Sequence, residues 1–155
     1  MEWMIYGANG YTGRLMVEEA LRRGLRPVLA GRSREAIEPM AAQYGLPARV
    51  FGLDKPAAVE MGLRGIDLVL HCAGPFSKTA KPMVHACLES GAHYLDITGE
   101  IDVFAACSAL DAEAQQRGIV IMPGAGFDVV PTDCLAAILK LELPSANQLV
   151  LAFDA

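Results

Sequence analysis

The stretch Trp3-Met4-Ile5-Tyr6-Gly7-Ala8-Asn9-Gly10-Tyr11-Thr12-Gly13 decides how this chain folds. The apolar run Trp3 to Tyr6 stops at Gly7, the pattern of a short buried strand that ends in a turn. Beyond the turn, Gly13, Met16, Val17, Ala20, Leu21 and Gly24 recur at helical spacing and build one apolar face. On the opposite face, Glu18 with Arg22 and Glu19 with Arg23 are expected to form i,i+4 pairs in the favourable orientation. Gly24 ends the helix, and Pro27-Val28-Leu29-Ala30-Gly31 reads as a second strand. The result is a βαβ unit of roughly thirty residues.

Working outward, the alternation continues. Ile37, Met40, Ala41 and Tyr44 mark a helix whose start Pro39 should delay, or which it should kink. Residues 48–53 and 67–71 read as the third and fourth strands. Val84, Cys87, Leu88 and Gly91 give a helix with Pro82 near its first turn. Residues 93–97 form a fifth strand, Val103, Cys107, Leu110 and Ala114 one helical stripe closed by Gly118, and residues 119–122 a sixth strand. Strands that are apolar on both faces and separated by helices imply a parallel sheet covered on both sides. The expected fold is therefore α/β, a Rossmann-type doubly wound sheet of about six strands.

The tail departs from this rhythm. Thr132 to Leu141 reads as a helix, Pro144-Ser145 as a break, and Gln148 to Phe153 as a further strand. The expected division is a nucleotide-binding domain over 1–143, with 144–155 beginning a second, substrate-binding domain that continues beyond Ala155.

Composition sets outer limits. The chain has 155 residues, 53% hydrophobic and 20% charged, with a net charge of −5. That balance suits one globular domain and offers no electrostatic footprint for nucleic acid or anionic lipid. No apolar run approaches a membrane span, and Glu2 lies where a signal peptide would carry basic residues, so the expected compartment is the cytoplasm. Cys72, Cys87, Cys107 and Cys134 are too widely spaced for a zinc pattern and read as buried, reduced thiols. His71, His85 and His93 show no metal spacing either, and no metal is expected.

The chemistry centres on Gly7, Gly10 and Gly13, spaced G-x-x-G-x-x-G between a strand and a helix. In that context Gly7 permits the tight turn, Gly10 lets backbone approach a pyrophosphate, and Gly13 lets the helix pack closely on the strand. Free N–H groups of the first helical turn, over Asn9, Tyr11 and Thr12, then face phosphate charge. The second strand ends in Gly31-Arg32-Ser33-Arg34, where an NAD site usually places an acid. Two guanidinium groups and a hydroxyl suit a 2′-phosphate, which favours NADP(H) and leaves NAD(H) open. The competing reading is a solvated basic pair around a helix N-cap at Ser33.

Asp54 follows the third strand and either edges an adenine pocket or begins a turn before Pro56. Cys72-Ala73-Gly74-Pro75 follows the fourth strand, and small residues there would let a nicotinamide lie against backbone, with Cys72 a filler rather than a nucleophile. Asp96, Thr98, Gly99 and Glu100 gather past the fifth strand, either at a site or as a cap on the next helix. No Tyr-x-x-x-Lys pair occurs, and no other acid–base dyad stands out. Catalytic residues are therefore not assigned, and proton transfer is expected from water or from outside this chain.

Five motifs together resemble the saccharopine dehydrogenase-like oxidoreductases, a family that includes the trans-acting enoyl reductases. They are Gly7 to Gly13, Leu29-Ala30-Gly31-Arg32, Cys72-Ala73-Gly74-Pro75-Phe76, the stretch from Gly91 to Glu100, and the stretch from Gly126 to Asp133. The resemblance implies an N-terminal NAD(P) domain followed by a mixed α/β substrate domain. It also implies cofactor contacts at the first glycine motif, Arg32 and Ala73-Gly74-Pro75. His71 stands where relatives usually carry a small or polar residue.

The expected function is an NADP(H)-binding domain of an oxidoreductase, serving hydride transfer to a small-molecule substrate. The alternative is a non-catalytic redox sensor similar to the NmrA-like regulators, which begin with the same glycine spacing. Expected partners are the dinucleotide and a small substrate. A homodimer is compatible with the sequence; nucleic acid and membrane are not expected.

Overall fold

A computed structural model describes residues 1–127 and 129–152. Strands β1 (Trp3–Tyr6), β2 (Val28–Gly31), β3 (Ala48–Val50), β4 (Leu68–His71), β5 (His93–Asp96) and β6 (Ile121–Met122) form one sheet in the order β3-β2-β1-β4-β5-β6. Every neighbouring pair is parallel. Parallel neighbours require crossovers. Among the described residues the helices are α1 (Tyr11–Arg22), α2 (Arg34–Tyr44), α3 (Pro56–Leu63), α4 (Phe76–Ser90), α5 (Ile101–Ser108), α6 (Asp111–Arg117) and α7 (Val130–Glu142).

Alternation along the strands splits the core in two. Ile5 and Leu29 pack with Val17 of α1 and Ile37, Met40 and Ala41 of α2. Met4, Tyr6, Val69 and Tyr94 pack on the other face with residues of α3, α4, α5 and α6. Burying a side chain such as Leu29 or Ile5 stabilises by about 1.5–3 kcal/mol, so a one-residue slip of β1 would be strongly disfavoured. The doubly wound parallel sheet expected from the sequence is the fold observed.

Several local expectations need correction. α4 begins at Phe76, eight residues before Val84, with Pro82 in its interior. Pro82 cannot donate to the helix ladder, yet Ala80, Met83, Val84, Ala86, Cys87 and Leu88 are all buried along α4, and that packing outweighs the lost bond. For the same reason Pro39 does not delay α2, where Ile37, Met40 and Ala41 are buried on either side. α3 was not anticipated: Pro56, after the bend at Leu53 and Asp54, is its first residue. The stripe from Val103 to Ala114 is two helices, because the Leu110 N–H bonds to Cys107 O in a tighter turn. Glu19, not Glu18, binds both Arg22 and Arg23, at 2.6 Å each.

The third, fourth, fifth and sixth strands are also shorter than expected, since each pairs only where a neighbour continues beside it. The tail differs most. No residue of α7 is buried, and 143–152 contains no strand, because among the described residues no partner strand lies beside it. Asp128 and Phe153 to Ala155 lie outside the described residues. Of the cysteines expected to be buried, Cys134 is exposed on α7 and Cys72 is half-buried, while Cys87 and Cys107 are buried.

Candidate functional site

The order of the sheet reverses at β1: β2 and β3 lie on one side, β4 to β6 on the other. A crevice therefore opens beyond the carboxyl ends of β1, β2 and β4, the place where open α/β sheets bind ligands. There the structure has a groove of about 930 Å³. Its walls include Gly7, Asn9, Arg32, Ser33, Asp54, Ala73, Gly74 and Pro75 from the sequence-predicted set, together with Tyr6, Lys78 and Thr79. Gly10, Tyr11, Thr12, Gly13, Arg34 and Cys72 are not on its walls.

The glycines have distinct physical reasons. Gly7 has φ +86°, and a Cβ there would sit 2.9 Å from both N and Cβ of Ala73. Only glycine lets the β1 turn lie against the loop after β4. At Gly13 a Cβ would collide with the Gly7 carbonyl oxygen and lie 2.9 Å from Ala8 Cα. Gly13 therefore seats α1 directly on the turn. Gly10 is different: it is extended, and its Cβ would meet only Gly7 O, at 3.3 Å. The fold makes little demand for glycine at that point. Gly10 is also the N-cap of α1, which has no side-chain cap and no acid in its first turn. That helix end keeps free N–H groups and positive dipole charge.

At the end of β2, the two readings of Gly31 to Arg34 divide between residues. The Ser33 hydroxyl accepts from Ala36 N–H at 3.3 Å and so caps α2, and Arg34 pairs with Glu38 on the exposed helix face. Arg32 is exposed, and among the described residues it has no hydrogen-bond or ion-pair partner. Burial pushes the Tyr6 hydroxyl up to about 12, with Arg32 opposing and Asp54 reinforcing, so both charges lie near that ring. Tyr6 itself donates to Phe51 O at 2.9 Å and props the loop after β3.

Across the groove, the Gly74–Pro75 peptide is cis. The Thr79 hydroxyl is shared between Ala73 O at 2.6 Å and Pro75 O at 3.1 Å, which ties this loop to the first turns of α4. Burial, with the nearby Asp96 charge, pushes the Cys72 thiol up to about 12 and keeps it neutral. Beneath the loop lies His71, with no exposed surface and no hydrogen-bond partner on either ring nitrogen. It is ringed by Tyr6, Phe76 and Tyr94, with centroids 5.4–6.1 Å away. Burial drives its pKa down to about 3, and the nearby Thr79 backbone, which does not reach hydrogen-bond geometry with the ring, opposes this only weakly.

Sequence reasoning missed Lys78 and Thr79. They follow Pro75 by three and four residues, and they reach the groove only because α4 starts at Phe76. The Asp96 to Glu100 cluster does cap a helix, but not the next one: Glu100 caps α4 from across the sheet edge. Among the described residues, no His, Cys, Asp and Glu side chains gather as a metal site, and no helix is long and apolar enough to cross a membrane.

Residues 3–122 match the family profile described as the saccharopine dehydrogenase NADP binding domain. The chain belongs to that family. A human saccharopine dehydrogenase-like oxidoreductase is 30% identical over 84% of this chain and 35% of its own length. A trans-acting enoyl reductase of Mycobacterium ulcerans is 32% identical over 85% of this chain and 34% of its own. The chain thus spans about a third of the length of these relatives. Among solved structures, apo saccharopine dehydrogenase (L-Glu forming) of Saccharomyces cerevisiae superposes with a TM-score of 0.74 at 17% identity, over 92% of this chain and 31% of that one. A Citrobacter triphenylmethane reductase complexed with NADP(H) gives 0.62 at 17% identity, over 79% of this chain and 48% of that one. At such identities these two likenesses concern the fold.

Proposed function

We propose that this chain holds NADP(H) in the crevice beyond β1, β2 and β4 and serves an oxidoreductase whose substrate is a small molecule. The observation that carries this reading is Arg32: a free guanidinium at the end of β2, where an acid would serve NAD. The groove fits the group in two further respects. The α1 terminus beside the groove offers uncapped N–H groups, and glycine at position 10 keeps side-chain bulk away from them.

Gly7, Asn9 and the α1 terminus would hold the pyrophosphate. Arg32, with Ser33 and Asp54 at the edge, would take the adenosine end, and Ala73-Gly74-Pro75 would support the nicotinamide end. Tyr11, Thr12 and Gly13 act by forming the first turn of α1, Cys72 by filling behind the loop, and Arg34 from the outer rim. A bound nicotinamide supplies the hydride chemistry, and the protein orients it and excludes water. Residues 1–143 then serve as the cofactor domain, a reading supported by the family match over residues 3–122. We place the start of a substrate domain at 144–155, a reading supported by the unburied apolar face of α7. The redox-sensor alternative is less favoured, since the named relatives are oxidoreductases and reductases. The cytoplasm stays the proposed compartment, although an Arabidopsis thaliana relative is named probable mitochondrial.

Arg32→Ala tests the reading. Loss of charge-assisted bonds to a 2′-phosphate should weaken NADPH by about 10–100-fold while NADH changes by less than about threefold, as titration calorimetry would register. Equal losses for both cofactors would show that Arg32 does not read the 2′-phosphate.

A further inference from the structure

Glu100 is the N-cap residue of α5, yet its side chain leaves that helix uncapped. It crosses instead to α4, where Phe76 N–H donates to Oε1 at 2.7 Å and Ser77 N–H donates to Oε2 at 2.8 Å. α4 has no cap of its own. Its N-cap position is Pro75, and its first turn holds no acid. A carboxylate spread over two free N–H groups at the positive end of a helix is a charge-assisted, two-pronged contact.

Glu100 is held in turn. Its N–H donates to Thr98 Oγ1 at 3.0 Å, and Thr98 N–H donates to Asp96 Oδ1, also at 3.0 Å. Asp96 Oδ1 accepts a further bond from Gly124 N–H at 2.8 Å, and Tyr94 OH donates to Oδ2 at 2.7 Å. Asp96 and Thr98 are buried, so this chain of bonds is anchored in the core at the end of β5. It runs to the first turn of α4, immediately after the groove-lining residues Ala73, Gly74 and Pro75.

We infer that Glu100 is a positioning residue for the nicotinamide half of the dinucleotide: by clamping the first turn of α4 it fixes the Ala73-Gly74-Pro75 loop on which that half lies. This inference rests on the cofactor reading above. Arg32 and Asp54 stand on the other side of β1, on loops that Glu100 does not touch, so the adenosine half is independent of the clamp. Glutamine at 100 would keep the size but not the function. Its oxygen accepts one N–H, and its own NH₂ then confronts the other.

The experiment compares the full chain with Glu100→Gln, using NADPH and adenosine 2′,5′-bisphosphate, which lacks the nicotinamide half. NADPH should weaken by about tenfold or more, the scale of one lost charge-assisted bond, while the bisphosphate stays within about twofold. A helix cap of purely structural value would move both ligands together or neither. Should Glu100→Gln not fold, Glu100→Asp carries the same comparison, since it keeps the charge but is too short to reach both N–H groups. Equal affinities of wild type and variant for NADPH, or equal losses for both ligands, overturn the inference alone. A wild-type chain that binds neither ligand overturns the cofactor reading and this inference with it.

Discussion

Gly13→Ala is expected to destabilise the domain by about 3 kcal/mol or more, at the upper end of overpacking costs. The added Cβ meets backbone, the Gly7 carbonyl and Ala8 Cα, rather than a side chain that could turn away. Relief requires α1 to lift off β1, which would open the contact between Val17 and the Ile5 face of the core. For a domain of this size that loss corresponds to a fall of about 6–12 °C in melting temperature, measurable by circular dichroism. Gly10→Ala is the matched control. Its Cβ sits 3.3 Å from Gly7 O on an extended backbone, so melting should move by no more than about 3 °C. Equal melting of Gly13→Ala and wild type would mean that α1 does not sit this close to the turn.

The second large effect is acid lability from His71. Its folded pKa is about 3 against an ordinary value of 6.5, chiefly because burial disfavours the imidazolium. The unfolded chain therefore binds a proton that the native one refuses as pH falls below 6.5. Stability contributed by this residue is complete above pH 6.5 and declines by about 1.4 kcal/mol per unit toward pH 3, on the order of 5 kcal/mol in all. Carboxylates held low in the folded state, such as Glu19 and Glu35, enter only below their ordinary value of 4.5. The interval between pH 6.5 and 4.5 thus separates the buried imidazole from these carboxylates. Urea unfolding should show wild type losing about 2.5 kcal/mol over that interval and His71→Leu losing well under 1 kcal/mol. At pH 7 the leucine variant should be no less stable than wild type, since two unpaired buried nitrogens are removed. Parallel losses in both proteins would show that His71 is not the acid-sensitive group.

The β1–α1–β2 unit was legible because its signals are local. The strand run, the positive φ at Gly7, the apolar stripe of α1 and the end of β2 all lie within a few residues of one another. Features decided by packing were not. Pro82 reads as a helix boundary, yet the buried face from Ala80 to Leu88 carries α4 through it, and with the early start at Phe76 come Lys78 and Thr79 on the groove wall. The sequence leaves Gly31 to Arg34 open between phosphate ligands and a helix N-cap at Ser33, and the bonds of Ser33 to Ala36 and of Arg34 to Glu38 appear only in the folded chain. Glu100 reads as the start of α5, and its real partners lie 24 and 23 residues earlier in the chain. No periodicity or spacing encodes a contact across that distance. His71 gave no sign of its burial, because the rings around it come from three different elements: β1, α4 and β5.

The central claim is that the crevice above β1 holds a nicotinamide dinucleotide and that Arg32 tilts the choice toward the phosphorylated form. Calorimetric titration of the wild-type chain with NADPH and with NADH tests it most directly. NADPH should bind saturably and more tightly than NADH by about tenfold or more. Absence of binding heat and of competition with either cofactor would contradict it.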